Sequence, residues 1–203
     1  TIDELSARAV CALSGCSLLQ LQGDEDMTPS EKQAVREAKA RLVDLPIVIN
    51  DQSPTTIDRV ASTARVLVQT HGIQLLIIDY LQKIRRQGKK ERHEELGDMA
   101  AALKDVGKSI GIPVVLLVQL KREAEGRVPV LSDLGDSNEL EREADVVIAI
   151  YRDREADGVE CELHILKNRH GPAIGRTPAA FIGKCFRFGE LQRRFDGGKG
   201  GTA

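Results

Sequence analysis

The spacing of apolar residues divides the chain into helices and strands that alternate along its length. Ile2, Leu5, Ala9, Val10 and Leu13 recur at helical intervals, and Thr1 with Glu4 has the form of a capping box in front of them. Thr28-Pro29-Ser30-Glu31 predicts a second start, with a cap at Thr28, proline at the first helical position and Glu31 reaching back. That helix should run to about Leu42, mostly polar and therefore exposed. "PIVIN", from Pro46 to Asn50, reads as a short strand. Thr55 or Thr56 then caps a helix whose stripe is Ile57, Val60, Ala61, Ala64 and Leu67. A strand from Leu75 to Asp79 follows.

A helix beginning near His93 places Leu96, Met99, Ala100, Leu103, Val106 and Ile110 on one face, and Gly111 and Pro113 end it. "PVVLLVQL", from Pro113 to Leu120, is too continuously apolar for a one-sided sheet, so it is expected in a sheet covered on both faces. "ADVVIAIYRD", Ala144 to Asp153, reads as a further buried strand. From Val159 the pattern turns to alternation, with Val159, Cys161, Leu163 and Ile165 on one side and Glu160, Glu162 and His164 on the other. Together with "AAFIGKCFRF" this predicts antiparallel hairpins. The expected class is α/β, with a mainly parallel sheet and C-terminal hairpins, and a Gly-rich flexible tail over residues 193–203.

Composition narrows the functions available. The 203 residues are 41% hydrophobic, enough for one domain with a sizeable core. A net charge of −2 gives no global basic field for a polyanion, so any such contact must come from local clusters. With no tryptophan and 3% aromatic residues, stacking platforms for bases are not expected. Cys11, Cys16, Cys161 and Cys185 have no metal-ligand spacing and read as free thiols of a reducing compartment. No apolar run reaches the ~18 residues of a membrane helix, and no basic-then-apolar signal opens the chain. A soluble, cytoplasmic protein with no membrane partner is expected.

The strand "LLIID" ends in an acid, as nucleotide-hydrolysing enzymes present an aspartate to magnesium. Its usual companion is a glycine-rich loop with a lysine, G-x-x-x-x-G-K-[ST], that cradles phosphates. The nearest approach is "ALKDVGKS", Ala102 to Ser109, whose last three residues fit. A phosphate loop must follow a strand and open a helix. This segment instead falls at the C-terminal end of a helix, where the dipole is negative. It is a decoy.

Three separated stretches carry a resemblance: "LIIDYLQ", "VPVLSDLGDSNELEREADVVIAIYRDR" and "ELHILKNRHGP". Together they resemble the C-terminal motor domain of DnaB-type replicative DNA helicases, a RecA-like P-loop ATPase, from about Thr1 to Phe188. The resemblance implies that the phosphate loop, and a strand bearing the catalytic glutamate, would lie ahead of Thr1. The chain then looks like a partial motor domain, residues 1–192, without the Walker A portion, and inactive towards ATP by itself. ATP and Mg2+ are the implied cofactors. Asp79 matches the acid that holds the metal, usually through water. Gln119 matches a glutamine that reports the γ-phosphate state. Lys167 and Arg169 match the pair that reaches the neighbouring subunit's nucleotide, with Arg169 as the arginine finger.

The family grips DNA through the loop before "ADVV", using an arginine, an acid and a glycine. Here Gly135, Asp136, Ser137 and Asn138 stand there, so the arginine's charge is absent. Backbone N–H groups can still hold phosphates. The basic stretch Gln82 to Arg92, with Arg85, Arg86, Lys89 and Lys90, is the other candidate for single-stranded DNA, or else a solvated loop. The implied assembly is a homo-oligomeric, hexameric ring, with a primase or helicase loader as further partners. Two other readings stay open: another RecA-superfamily ATPase, recombinase or KaiC-like, and a non-catalytic oligomerisation or DNA-binding module.

Overall fold

The computed structural model describes residues 1–52, 55–84, 92–134, 138–153, 159–172 and 175–190. The basic residues Arg85, Arg86, Lys89 and Lys90, the loop residues Gly135 and Asp136, and the tail after residue 190 lie outside the described residues.

The N-terminal helices form where local chemistry directs them. Helix α1, Ile2–Ser14, carries the complete Thr1–Glu4 capping box and stops at Gly15, whose φ of 79° suits a residue without Cβ. A one-turn helix α2, Leu18–Gln22, repeats the device with Ser17 and Gln20. Helix α3, Pro29–Asp44, has the predicted start: the Glu31 N–H donates to Thr28 Oγ1 at 3.3 Å, and the Thr28 N–H donates to Glu31 Oε2 at 2.8 Å. Val10 and Cys16 bury against Val35 and Ala38, making a small separate core.

Helix α4, Ile57–His71, is capped by Thr56 and leads to strand β1, Leu76–Ile78. Helix α5, Arg92–Ile110, returns the chain to strand β2, Val114–Leu116. The two strands pair in parallel, Leu76 with Val114 and Ile78 with Leu116. The main core lies between them and the helices: Ile78, Leu81, Ile84, Leu96, Met99, Ala100 and Leu103, joined by Leu140. The phosphate-loop look-alike falls in the last turns of α5, where Gly107 packs on Val114.

Helix α6, Asn138–Glu143, precedes strand β3, Val146–Tyr151. Strands β4 (Glu160–Asn168), β5 (Gly175–Ile182) and β6 (Arg187–Glu190) complete an antiparallel sheet in the order β3-β4-β5-β6.

Three expectations need correction. The sheet is not mainly parallel: the larger sheet has four antiparallel strands, and only β1 and β2 run in parallel. The connection over residues 152–159 is too short for a parallel crossover, which needs about a dozen residues or more, so β3 must turn back on β4. Residues 46–50 form no strand, and Ile47 stands 59% exposed. An apolar run of that length is a strand only if a neighbour accepts its hydrogen bonds. Nor are the strands covered on both faces: Leu76, Val114 and Leu116 pack inward, whereas Ile77, Val115, Ile148 and Ile150 are exposed.

Candidate functional site

Because β1 and β2 are parallel, the residues that follow them leave the sheet at one edge. Asp79 comes directly after β1, and Gln119 lies three residues beyond β2. The Leu117 N–H donates to the Ile78 carbonyl at 3.0 Å, and the Leu81 N–H to the Leu117 carbonyl at 3.1 Å, which stitches the two exits together. Both side chains are exposed, and neither has a hydrogen bond or ion pair among the described residues. The Asp79–Tyr80 peptide is cis, and Lys83 Nζ lies 5.6 Å from the Tyr80 ring centre. Beneath them Leu81, wholly buried, anchors the exit in the core.

Among the described residues no group of three or more His, Cys, Asp or Glu side chains could hold a metal ion. One carboxylate and one amide at the same edge, both unpaired among the described residues, fit an ion that arrives with a phosphate and keeps its own waters. They do not fit an ion held by protein ligands alone.

The second cluster lies on the rim of the antiparallel sheet. Strand β4 ends beside the start of β3, with Asn168 opposite Val146, and the Arg169 N–H donates to the Asp145 carbonyl at 2.8 Å. Arg169 then folds onto its own chain: Nη1 donates to Asp145 Oδ1 at 2.6 Å and Nη2 to the Arg142 carbonyl at 2.6 Å. Lys167 Nζ donates to the Glu141 and Arg142 carbonyls. Lys104, from α5, donates to the Glu143 carbonyl at 2.6 Å and to the same Asp145 Oδ1 at 2.9 Å. Three cations thus meet the carbonyls at the C-terminal end of α6, where the helix dipole favours positive charge. The Lys104 hydrogen bond, with the charges of Lys104 and Arg169, holds the Asp145 carboxyl below the usual aspartate range. No hydrogen bond or ion pair among the described residues joins this cluster to Asp79 or Gln119.

An ion pair between an exposed arginine and a buried aspartate organises the segment between β2 and α6. Arg127 Nη1 and Nη2 donate to the two carboxylate oxygens of Asp133 at 2.8 and 2.6 Å. The Val130 N–H adds a bond to Asp133 Oδ2 at 2.8 Å, and the Lys121 N–H donates to the Asp133 carbonyl at 3.0 Å. The carboxylate is 5% exposed, and the Arg127 bonds hold its pKa below the ordinary value. Of the residues expected to touch DNA only Asn138 is placed, as the first residue of α6.

Sequence reasoning did not single out Lys104, Arg127, Asp133 or Asp145. An acid immediately before a strand, as in "EREADVV", is the one signal that could have pointed towards Asp145.

The family model described as DnaB-like helicase C terminal domain matches residues 1–190. The replicative DNA helicase DnaB of Geobacillus stearothermophilus is 31% identical over 204 residues, covering 96% of this chain and 44% of the relative. A probable plasmid replicative DNA helicase of Chlamydia trachomatis is 33% identical over 193 residues, covering 94% and 42% respectively. A solved ATPase domain superposes with a TM-score of 0.85 at 24% identity, covering 95% of this chain and 72% of that one. The structure of a DnaB-like replicative helicase, solved for its interactions with primase, gives 0.84 at 25% identity, covering 93% and 48%. The chain spans less than half the length of the curated relatives it matches. No helix among the described residues is long and apolar enough to cross a membrane. With the family model matching almost the whole chain and the fold superposing on a helicase of the same kind, this chain belongs to the DnaB-like helicase C-terminal domain family.

Proposed function

We propose that this chain is the later part of an ATP-driven replicative helicase motor that works as a homo-oligomeric, hexameric ring on single-stranded DNA in the cytoplasm. One observation carries the reading within the family match: Asp79 and Gln119 leave the parallel strands at the same edge, exposed and unengaged. That is where an open α/β sheet binds ligands.

Magnesium-ATP, when bound, supplies the phosphoryl-transfer chemistry. Asp79 would hold the metal's water shell, and its charge would offset that of the ion. Gln119 would hydrogen-bond the terminal phosphate with its amide. Lys167 and Arg169 serve the nucleotide of the next subunit, a role supported by their place at the end of β4, with no hydrogen bond or ion pair to Asp79 among the described residues. The DNA track falls to the 82–92 segment or to the 135–138 segment. A primase or helicase loader is the further partner, in keeping with the solved helicase whose interactions with primase are known.

The sequence contains no G-x-x-x-x-G-K-[ST] segment in a strand-to-helix setting, so it lacks the loop that cradles the nucleotide's phosphates in P-loop enzymes. Residues 1–203 purified alone should therefore show negligible ATP turnover. A parent chain with a phosphate loop ahead of Thr1 should turn over ATP, and Asp79→Asn within it should abolish that activity. Robust hydrolysis by residues 1–203 alone would show that the active site has been misplaced.

A further inference from the structure

We infer that Asp145 is a positioning residue for Arg169: together with the Arg142 carbonyl, it sets the guanidinium in a fixed orientation on its own subunit before a neighbour's nucleotide is met. The inference rests on the trans-acting role proposed for Arg169.

A guanidinium offers five N–H donors in a rigid plane. Among the described residues Arg169 commits two of them, one on each terminal nitrogen, to Asp145 Oδ1 and to the Arg142 carbonyl, both at 2.6 Å. The plane is thereby fixed at two points, and three donors remain for a ligand. The side chain keeps 41% of its surface exposed, so the docked group is still reachable. Docking is therefore not sequestration.

The acceptor is itself held. Lys104, at 20% exposure, binds the same Oδ1 at 2.9 Å from α5, and the Arg169 N–H reaches the Asp145 carbonyl at 2.8 Å. Asp145, two residues past α6, thus links helix α5 to the turn after β4. An unrestrained arginine loses considerable rotamer freedom when it meets a phosphate. Here that ordering is already complete, so the charge arrives oriented where it is needed. Arg169 and Asp145 are adjacent across the β3–β4 register, with Asn168 opposite Val146, so the pairing follows from the hairpin itself.

The test uses the full-length parent with its phosphate loop, assembled as rings and supplied with magnesium-ATP and a single-stranded oligothymidylate. Asp145→Asn should leave assembly and the KM for ATP unchanged and lower kcat by roughly ten- to a hundredfold, the range for a small misplacement of a catalytic group. Arg169→Lys should lower kcat as well. The double variant Arg169→Lys Asp145→Asn should be no slower than Arg169→Lys alone, because a finger that has lost its planar fork gains nothing from being aimed. If Asp145→Asn fails to assemble, the chain carrying Lys104→Met and Asp145→Asn, which also removes the cation that Asp145 pairs on α5, is compared with Lys104→Met instead. Wild-type kcat in Asp145→Asn, or multiplicative losses in the double variant, would overturn the positioning role while leaving the finger intact. Unimpaired turnover in Arg169→Ala is the separate result that would remove the underlying reading.

Discussion

The Asp133 carboxylate ties the Arg127 guanidinium and the Val130 N–H to its own turn, so its protonation should be visible in stability. Its bonds from Arg127 and from the Val130 N–H favour the charged form, and its pKa lies below the ordinary aspartate value. A depressed carboxylate contributes stability that is complete above the unfolded value, about 3.9, and is lost as pH falls through the lower folded value. Asp133→Asn removes the charge while keeping the shape. Thermal melts should therefore show a wild-type advantage that is constant between pH 8 and pH 5 and shrinks below about pH 4, where the wild type also becomes neutral. A difference unchanged down to pH 3 would show that the ion pair contributes nothing through its charge. Neither Arg127 nor Asp133 could be picked out from "GRVPVLSDLG", since a charged residue in a loop reads as solvated until its partner is known. Asp79 and Gln119 were legible because each ends an apolar run that has no other reason to stop on a polar residue.

At the scale of the element, helix signals proved local and strand signals did not. The Thr28–Glu31 box needs four consecutive residues to form, and the stripe of α5 is complete within one segment. Residues 46–50 have the composition of a strand and form none, and β3 pairs with β4 rather than with β2, because a strand is defined by what lies beside it. Close packing between helices was equally hidden. Gly97 lies on α5 where α6 crosses it, and a Cβ there would fall 2.5 Å from the Glu139 Cβ. Two effects oppose each other in Gly97→Ala. Alanine favours the helix by about 1 kcal/mol. Overpacking at a fixed backbone costs roughly 1–3 kcal/mol. The contact is far inside ordinary van der Waals range, so the cost should prevail, and the melting temperature should fall by a few degrees. A Gly97→Ala chain that melts above the wild type would mean that α6 yields without resistance, and with it the carbonyls that receive Lys104, Lys167 and Arg169.

For the whole molecule the decisive question is whether one subunit contains a complete site. Asp79 sits on the edge of the two-stranded parallel sheet, and Arg169 on the rim of the four-stranded antiparallel sheet, docked on α6. If Arg169 acts on a neighbour, each active centre in a ring is made from the acid of one subunit and the arginine of the next. Arg169→Ala in a parent with its phosphate loop should then lose roughly a thousandfold or more in turnover while binding nucleotide nearly as well, because the lost charge matters chiefly in the transition state. Asp79→Asn should also be inactive, through the opposite side of the interface. Mixing the two inactive chains separates the possibilities. In a closed ring with head-to-tail interfaces, equal and random mixing leaves about a quarter of the interfaces with an intact acid facing an intact arginine. Turnover should recover towards that fraction of the wild-type rate, and should depend on the mixing ratio with a maximum at equal amounts. Arginine and acid acting within one chain would give no recovery at any ratio, because every subunit would carry a defect. Mixed rings that assemble, as read by mass or sedimentation, and stay inactive would therefore place Arg169 in its own subunit's chemistry or outside the chemistry altogether.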